Sequence, residues 1–189
     1  MRRRLLLSVL LALLALSVTA VSSPASPTAR VSDQRDATLE QGILRDVNRI
    51  RVARGLRALV ISPALQAAAS FQSRDMLDHG YFDHDQPGGA SFSERLRHFY
   101  PLGSGSTWIV GENLLWSTPG LDATGAVRMW LASPPHRKNL LDPTWREVGL
   151  GAYEAAIGTG AFAAANGPVV VVTMDFGSRG VTRTPAAKR

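Results

Sequence analysis

The nine residues PVVVVTMDF, from 168 to 176, constrain the fold most because they form a continuous, largely β-branched run near the C-terminus. A strand with one wet face alternates apolar and polar residues, whereas an unbroken run is typical of a strand covered on both faces. The preceding segment EVGLGAYE, 147–154, does alternate, which predicts a second strand. The rest of the chain must therefore supply a layer on each side of a sheet.

The first helical pattern covers about 38–54. Thr38 and Gln41 form a potential capping box at its start, and Gly55 is suited to end it. Four apolar residues then recur at helical spacing: Leu39, Ile43, Val47 and Ile50. This pattern predicts a helix with one apolar face directed at the core.

Two more helices follow the first. Ser62 and Pro63 have the order of an N-cap and a first helical residue, and Gly80 is suited to end that second helix. Ser91 and Glu94 have capping-box spacing, which predicts a short third helix beginning there.

A fourth helix is expected over about 121–132, with Val127 and Trp130 directed inward. Pro134 prevents its smooth continuation, and Ser133 before the proline has the N-cap position of a fifth, short helix running through Leu141. His136 then lies in the first turn of that helix. Because the positive end of a helix disfavours a second positive charge, we expect a neutral imidazole.

Two segments are less regular. STWIVGENLLW, 106–116, fits either a short strand or a buried turn, while AAIGTGAFAAANG, 155–167, is too long for a tight hairpin and predicts an exposed loop. Helices come first along the chain and strands last. The sequence therefore predicts the α+β class, as a three-layer α/β/α sandwich with a small central, mainly antiparallel sheet.

The two ends of the chain differ in composition from this domain. Three arginines, an apolar run and the small residues of 18–20 predict a cleaved secretory signal peptide over 1–20, with an uncleaved membrane anchor as the alternative. Residues 21–37 predict a disordered leader, 38–178 the folded domain, and 179–189 a flexible tail. We therefore expect a secreted, extracellular protein.

Charge and cysteine content narrow the function further. Without the first twenty residues the chain has eighteen Lys and Arg against fifteen Asp and Glu, and the basic residues are spread along it. This distribution predicts no nucleic-acid binding. The chain has no cysteine, so a secreted domain of this kind must rely on its core rather than on disulfides. We expect it to be a monomer.

Three polar residues are candidates for chemistry. His84 stands in a turn after Tyr81 and Phe82, a position that suits a ligand-binding loop. Glu112 lies in an apolar stretch and, if buried, needs a histidine, a metal or backbone donors, because an unpaired buried carboxylate costs several kcal/mol. His136 is the third, with packing against Trp130 or backbone capping as the structural alternative.

Six motifs occur in an order that resembles the CAP superfamily: VNRIRVARGLRAL, SRDMLDHGYFDH, GGASFSERL, VGENLLW, MWLASPPHRKNLLDPTWREVGLG and VVTMDFG. This is the SCP domain of cysteine-rich secretory proteins, antigen 5 and pathogenesis-related 1 proteins, here in its cysteine-free bacterial branch. The resemblance covers about 45–177 and implies a central cleft lined by His84, Glu112 and His136. The family's second cleft glutamate ends a Trp-x-x-Glu, where this chain has Ser133.

The resemblance implies a cleft that binds a divalent metal such as zinc through His84, His136 and Glu112, with Asn113 and Ser133 beside them. Two histidines and one carboxylate suffice for an open zinc site. The implied partner is a lipid, a sterol or a cell-envelope component. The alternative is a metal-dependent, protease-like hydrolase using a zinc-bound water, which the missing second glutamate disfavours.

A serine hydrolase using Ser133 and His136 is a third possibility. We expect an N-cap hydroxyl to be engaged by backbone amides, which disfavours Ser133 as a nucleophile.

Overall fold

A five-stranded sheet forms the centre of the computed structural model, which describes residues 34–102 and 106–181. The strand order is β1-β4-β5-β3, with β2 also pairing with β4. All pairs are antiparallel except β2 with β4, which is parallel. The strands are β1 Gln34–Arg35, β2 Val60–Ile61, β3 Ser106–Ser117, β4 Glu147–Ala155 and β5 Val169–Val181.

Helices cover both faces of this sheet. One layer contains α1, α4 and α5, whose apolar residues share a core with the sheet; the other contains α2 and α3. The helices are α1 Ala37–Val52, α2 Pro63–His79, α3 Phe92–Phe99, α4 Ala123–Ala132 and α5 Pro134–Leu140. The predicted three-layer α/β/α sandwich is confirmed. The predicted signal peptide, most of the leader and the end of the tail lie outside the described residues.

The long strands β3 and β5 carry the central residues of the candidate site. Strand β5 is buried on both faces from Val169 to Gly177, as its unbroken β-branched sequence predicts. Strand β3 pairs with β5 along its whole length, which decides the open choice between strand and turn in favour of a strand. In this register Glu112 lies opposite Asp175.

One helix start differs from the sequence prediction, and two helices that begin as predicted lack a side-chain cap bond. Helix α1 begins after Asp36, whose side chain accepts the Leu39 N–H at 2.8 Å, so the predicted Thr38 capping box is wrong. The Asp36 N–H donates a hydrogen bond to the Ala152 carbonyl at 2.9 Å. This bond to β4 holds Asp36 at the start of α1, earlier than the sequence predicts. Ser62 and Ser133 hold their N-cap positions without a side-chain cap bond.

The capping box of Ser91 with Glu94 is confirmed, as is Gly80, which ends α2 with a φ of 64°. The predicted exposed loop at 155–167 is wrong at one point. It contains a short 3-10 turn whose Phe162 is 1% exposed and meets Trp116 at 5.5 Å between ring centroids. An aromatic side chain among small residues therefore anchors this loop to the core.

Helix α2 approaches the sheet closely because β4 presents glycines to it. A Cβ at Gly149 would overlap the backbone of Leu65, and one at Gly151 would overlap that of Ala69. Ser73 on α2 donates a hydrogen bond to the Gly151 carbonyl at 2.7 Å. This contact fixes the end of α2 and hence the start of the loop that carries His84.

Candidate functional site

The candidate site straddles strand β3 because successive strand residues point to opposite faces of a sheet. Glu112 points toward the α2–α3 layer, where its Oε1 lies 2.6 Å from Nδ1 of His84. Asn113 points toward α5, where its Nδ2 donates to the His136 carbonyl at 3.1 Å. Two adjacent residues thus bring together loops and helices from both outer layers.

Glu112 is held by two cationic or donor side chains at once. Its Oε1 meets His84, and its Oε2 accepts a charge-assisted hydrogen bond from Nη2 of Arg95. The side chains of Glu112 and Arg95 are each only 1% exposed, whereas that of His84 is 52% exposed. The partner that burial demands of Glu112 is therefore a histidine together with an arginine that the sequence analysis missed.

Arg95 also fastens the loop that carries His84. Its Nη1 donates to Oε1 of Gln72 at 2.6 Å and to the His84 carbonyl at 2.8 Å. Gln72 in turn donates to the Asp83 carbonyl at 2.8 Å. One sequence signal for Arg95 exists: it falls on the same face of α3 as Phe92, Leu96 and Phe99, so it is a charge on an apolar stripe.

Asp175 is the second residue that the sequence analysis missed. It is fully buried on strand β5, at the position that pairs with Glu112 on β3. Among the described residues, no donor group reaches either of its carboxyl oxygens. Burial, followed by the negative charge of Glu112, raises the pKa of Asp175 well above its usual range. Burial therefore favours the protonated form of the Asp175 carboxyl.

The two histidines have opposite pKa shifts. The hydrogen bond to Glu112 raises the pKa of His84, against an opposing effect of burial. Burial, and then the positive charge of His84, lowers the pKa of His136. The predicted preference of His136 for its neutral form is confirmed in direction, with burial as its main cause. The two imidazoles of the site therefore differ in their tendency to bind a proton.

Side-chain amides fasten α5 to the edge strand. Asn139 donates through Nδ2 to the Glu112 carbonyl at 3.0 Å and to Oδ1 of Asn113 at 3.1 Å. Together with the bond from Asn113 to the His136 carbonyl, these contacts fix where α5 begins relative to β3. His136 is half-buried there, while its backbone is held firmly.

Ser133 lies one helical turn before His136, at the junction of α4 and α5. The expected cap bond from its hydroxyl is not formed, so the argument that backbone amides occupy this hydroxyl is wrong. The physical reason is that Pro135 removes the second N–H of α5, one of the donors that an N-cap oxygen accepts. The serine is a neutral group at the position where the resemblance to the CAP superfamily implies a glutamate.

The predicted metal ligands do not form a preformed three-residue cluster. Within 34–102 and 106–181, no group of three or more His, Cys, Asp or Glu side chains is arranged to hold a metal ion. Both oxygens of Glu112 are engaged by protein groups. When Nδ1 of His84 donates to Glu112, its Nε2 carries the lone pair. Nε2 of His84 is then the atom that this residue could offer to a metal, with Glu112 orienting the ring from behind.

Comparisons with known proteins agree with this architecture. The sequence model described as "CAP: Cysteine-rich secretory protein family" matches residues 44–176. A Bacillus subtilis (strain 168) protein described as "Uncharacterized protein YkwD" is 32% identical over 118 residues, covering 61% of this chain and 43% of that protein. The chain thus matches less than half the length of this curated relative.

Solved structures show the same fold. An extracellular protein from Bacillus anthracis containing an SCP domain has a TM-score of 0.56 and 27% identity, covering 74% of this chain and 40% of that one. An outer surface protein from Borrelia burgdorferi has a TM-score of 0.59 at 19% identity, covering 78% and 99%, and shows the fold alone.

The structural neighbours are thus described as extracellular or outer-surface proteins. Among the residues that the structure describes, no helix combines the length and apolar character needed to cross a membrane. The family match covers most of the folded part of the chain, and the three-layer sandwich accords with it. The chain belongs to the cysteine-rich secretory protein (CAP) family.

Proposed function

We propose that this chain is a secreted binding module whose cleft, at His84 and His136, takes a cell-envelope ligand with the help of a divalent metal. The observation that carries the proposal is the engagement of Glu112. Its carboxylate is buried and both oxygens are held, by His84 and by Arg95. A general base must reach the proton that it removes, and this carboxylate is directed into the protein.

Zinc is the metal that the donors favour. The prediction of His84, His136 and Glu112 as three direct ligands becomes, on this geometry, a proposal with two imidazole ligands and Glu112 orienting one of them. A neutral imidazole is required for coordination, and the lowered pKa of His136 supplies one. When bound, the metal would supply an electrophilic anchor for an oxygen of the ligand.

The apolar part of the proposed ligand would meet Phe82. Its side chain is 37% exposed two residues before His84, and its ring lies 6.3 Å from that of buried Phe162. A ring anchored on one side and open on the other gives an apolar edge next to a polar imidazole. This juxtaposition supports a lipid, sterol or other amphipathic envelope component as the partner.

A metal-dependent hydrolase is the second candidate, and one observation favours it. The 2.6 Å contact between His84 and Glu112 is the geometry of a carboxylate that orients an imidazole for proton transfer. The candidate predicts hydrolysis of a peptide or envelope polymer that falls both with a chelator and with Glu112→Gln. Activity that is indifferent to both treatments excludes it.

The metal proposal is tested by calorimetric titration of zinc into the full chain. We expect binding that is lost in the double variant His84→Ala/His136→Ala and retained in His98→Ala, which removes an exposed histidine from α3. Binding should weaken as the pH falls from about 8 to about 6, because protons compete for the imidazoles. Equal zinc binding by wild type and the double variant would remove the metal from this site.

A further inference from the structure

A cavity of about 370 Å³ lies on the outer side of α2, apart from the cleft at His84. Three aromatic side chains line it: Phe71 from α2, Phe99 from the end of α3, and Tyr153 from β4. The rings of Phe71 and Phe99 are in contact, with centroids 5.5 Å apart and planes inclined by 43°. Phe71 is 40% exposed, so part of this aromatic lining is open to solvent.

The charged residues around the cavity have a negative balance. Asp75 and Asp78 line it together with one cation, Arg74. Nε of Arg74 lies 3.9 Å from Oδ2 of Asp78, one helical turn away. Two carboxylates and one guanidinium leave an excess of negative charge, which attracts a cationic ligand rather than an anionic one.

Both carboxyl oxygens of Asp75 already have protein partners, so this residue would attract a ligand by its charge rather than by accepting new hydrogen bonds. Its Oδ2 accepts from the Tyr81 hydroxyl at 2.6 Å and from Nε2 of Gln86 at 2.9 Å. Its Oδ1 lies 3.1 Å from Nδ1 of His79. A primary ammonium brings three N–H donors that each need an acceptor, whereas a quaternary ammonium brings none.

We propose that this cavity binds a quaternary ammonium group of the choline type. Aromatic faces attract weakly hydrated cations, and the interaction needs no hydrogen bond to the cation. The excess of one carboxylate over the single guanidinium supplies the compensating charge, and the volume is within the range of small-molecule sites. This site shares no lining residue with the cleft, so it stands or falls independently of the proposed zinc site.

The test is a titration of the full chain with choline, followed by the NMR amide shifts of Phe71 and Phe99. The matched probe is 3,3-dimethylbutan-1-ol, in which carbon replaces the charged nitrogen. We expect choline to bind at least about fivefold more tightly than the neutral probe. Equal affinity for the two compounds would overturn the proposal.

Two variants locate the binding. Phe71→Leu keeps apolar bulk and removes the ring, and Asp78→Asn removes one charge; each should weaken choline binding at least about fivefold. Met129→Leu is the control, since Met129 on α4 has similar exposure, 43%, and lies outside the cavity. Choline affinity that is unchanged in Phe71→Leu, or reduced equally in Met129→Leu, contradicts the proposal. Tighter binding of Nα-acetyl-lysine amide than of choline would also overturn it.

Discussion

The two sides of strand β3 are joined to the neighbouring helices by different kinds of contact, ionic on one side and neutral on the other. On the α2–α3 side, the buried Glu112 is held by the buried guanidinium of Arg95. It also lies opposite a second carboxyl, that of Asp175 on the neighbouring strand β5. On the α5 side, Asn113 and Asn139 make neutral amide bonds. The ionic side fixes its groups through charge, so removing one member leaves another uncompensated. The amide side loses only hydrogen bonds.

The largest effect is expected on the ionic side. Arg95→Met removes the guanidinium and leaves the buried carboxylate of Glu112 with only the partly exposed His84 as a partner. We expect a loss of about 3–5 kcal/mol in the free energy of unfolding, measured by urea denaturation. Arg97→Met is the control, because Arg97 is exposed and lies over the Trp108 ring at 5.3 Å. Its loss should be about 1 kcal/mol or less.

A second variant separates uncompensated charge from lost packing. Arg95→Met/Glu112→Gln removes both charges, and we expect it to be more stable than Arg95→Met alone. If the double variant is no more stable than the single one, the charge argument for this side of β3 is wrong.

The amide side should show a smaller effect. Asn139→Ala removes the donor to the Glu112 carbonyl and to Asn113, two partly buried bonds. The expected loss is about 1–3 kcal/mol in the same denaturation experiment. A loss as large as that of Arg95→Met would contradict the claim that the ionic side of β3 depends more strongly on each of its members than the amide side does.

Local patterns account for the parts of this fold that depend on neighbours in sequence. The β-branched run that ends at Phe176 predicts the buried strand, and the order of Ser91 and Glu94 predicts the start of α3. The burial of Glu112 and its need for a partner also follow from its apolar surroundings. These inferences succeed because each rests on a period or a cap that a few residues define.

The two missed residues depend on contacts between distant segments. Asp175 matters because strand register places it opposite Glu112, and that register is set by the pairing of β3 with β5. Arg95 matters because α3 packs its stripe against the sheet at the position of Glu112. Yet the reasoning applied to Glu112 holds equally for an aspartate within a doubly buried strand. The sequence therefore allowed Asp175 to be predicted as a buried carboxyl, but it did not allow its pairing with Glu112 to be predicted.

Asp175→Asn tests whether the fold raises the pKa of Asp175. In the wild type the folded-state pKa of Asp175 is raised above its unfolded value, so its protonation stabilises the fold at low pH and this contribution falls as the pH rises toward the folded pKa. Asparagine does not titrate. The variant should therefore gain stability relative to the wild type as the pH rises above about 4, measured by urea denaturation across pH. A difference in stability that is constant with pH would show that the folded-state pKa of Asp175 is not raised.

The smallest effect concerns the two histidines of the candidate site, which lie by opposite sides of β3. Titration followed by NMR should show His84 losing its proton at higher pH than His136, because Glu112 raises the pKa of the first, while burial and the charge of His84 lower that of the second. Glu112→Gln should lower the pKa of His84, because a neutral amide stabilises the imidazolium less than a carboxylate does. The pKa of His136 should then rise slightly, since its neighbour is charged over a narrower pH range. If His136 is unaffected by Glu112→Gln, the two sides of β3 are electrostatically independent, and a ligand that meets both imidazoles would meet two separate groups rather than one coupled pair.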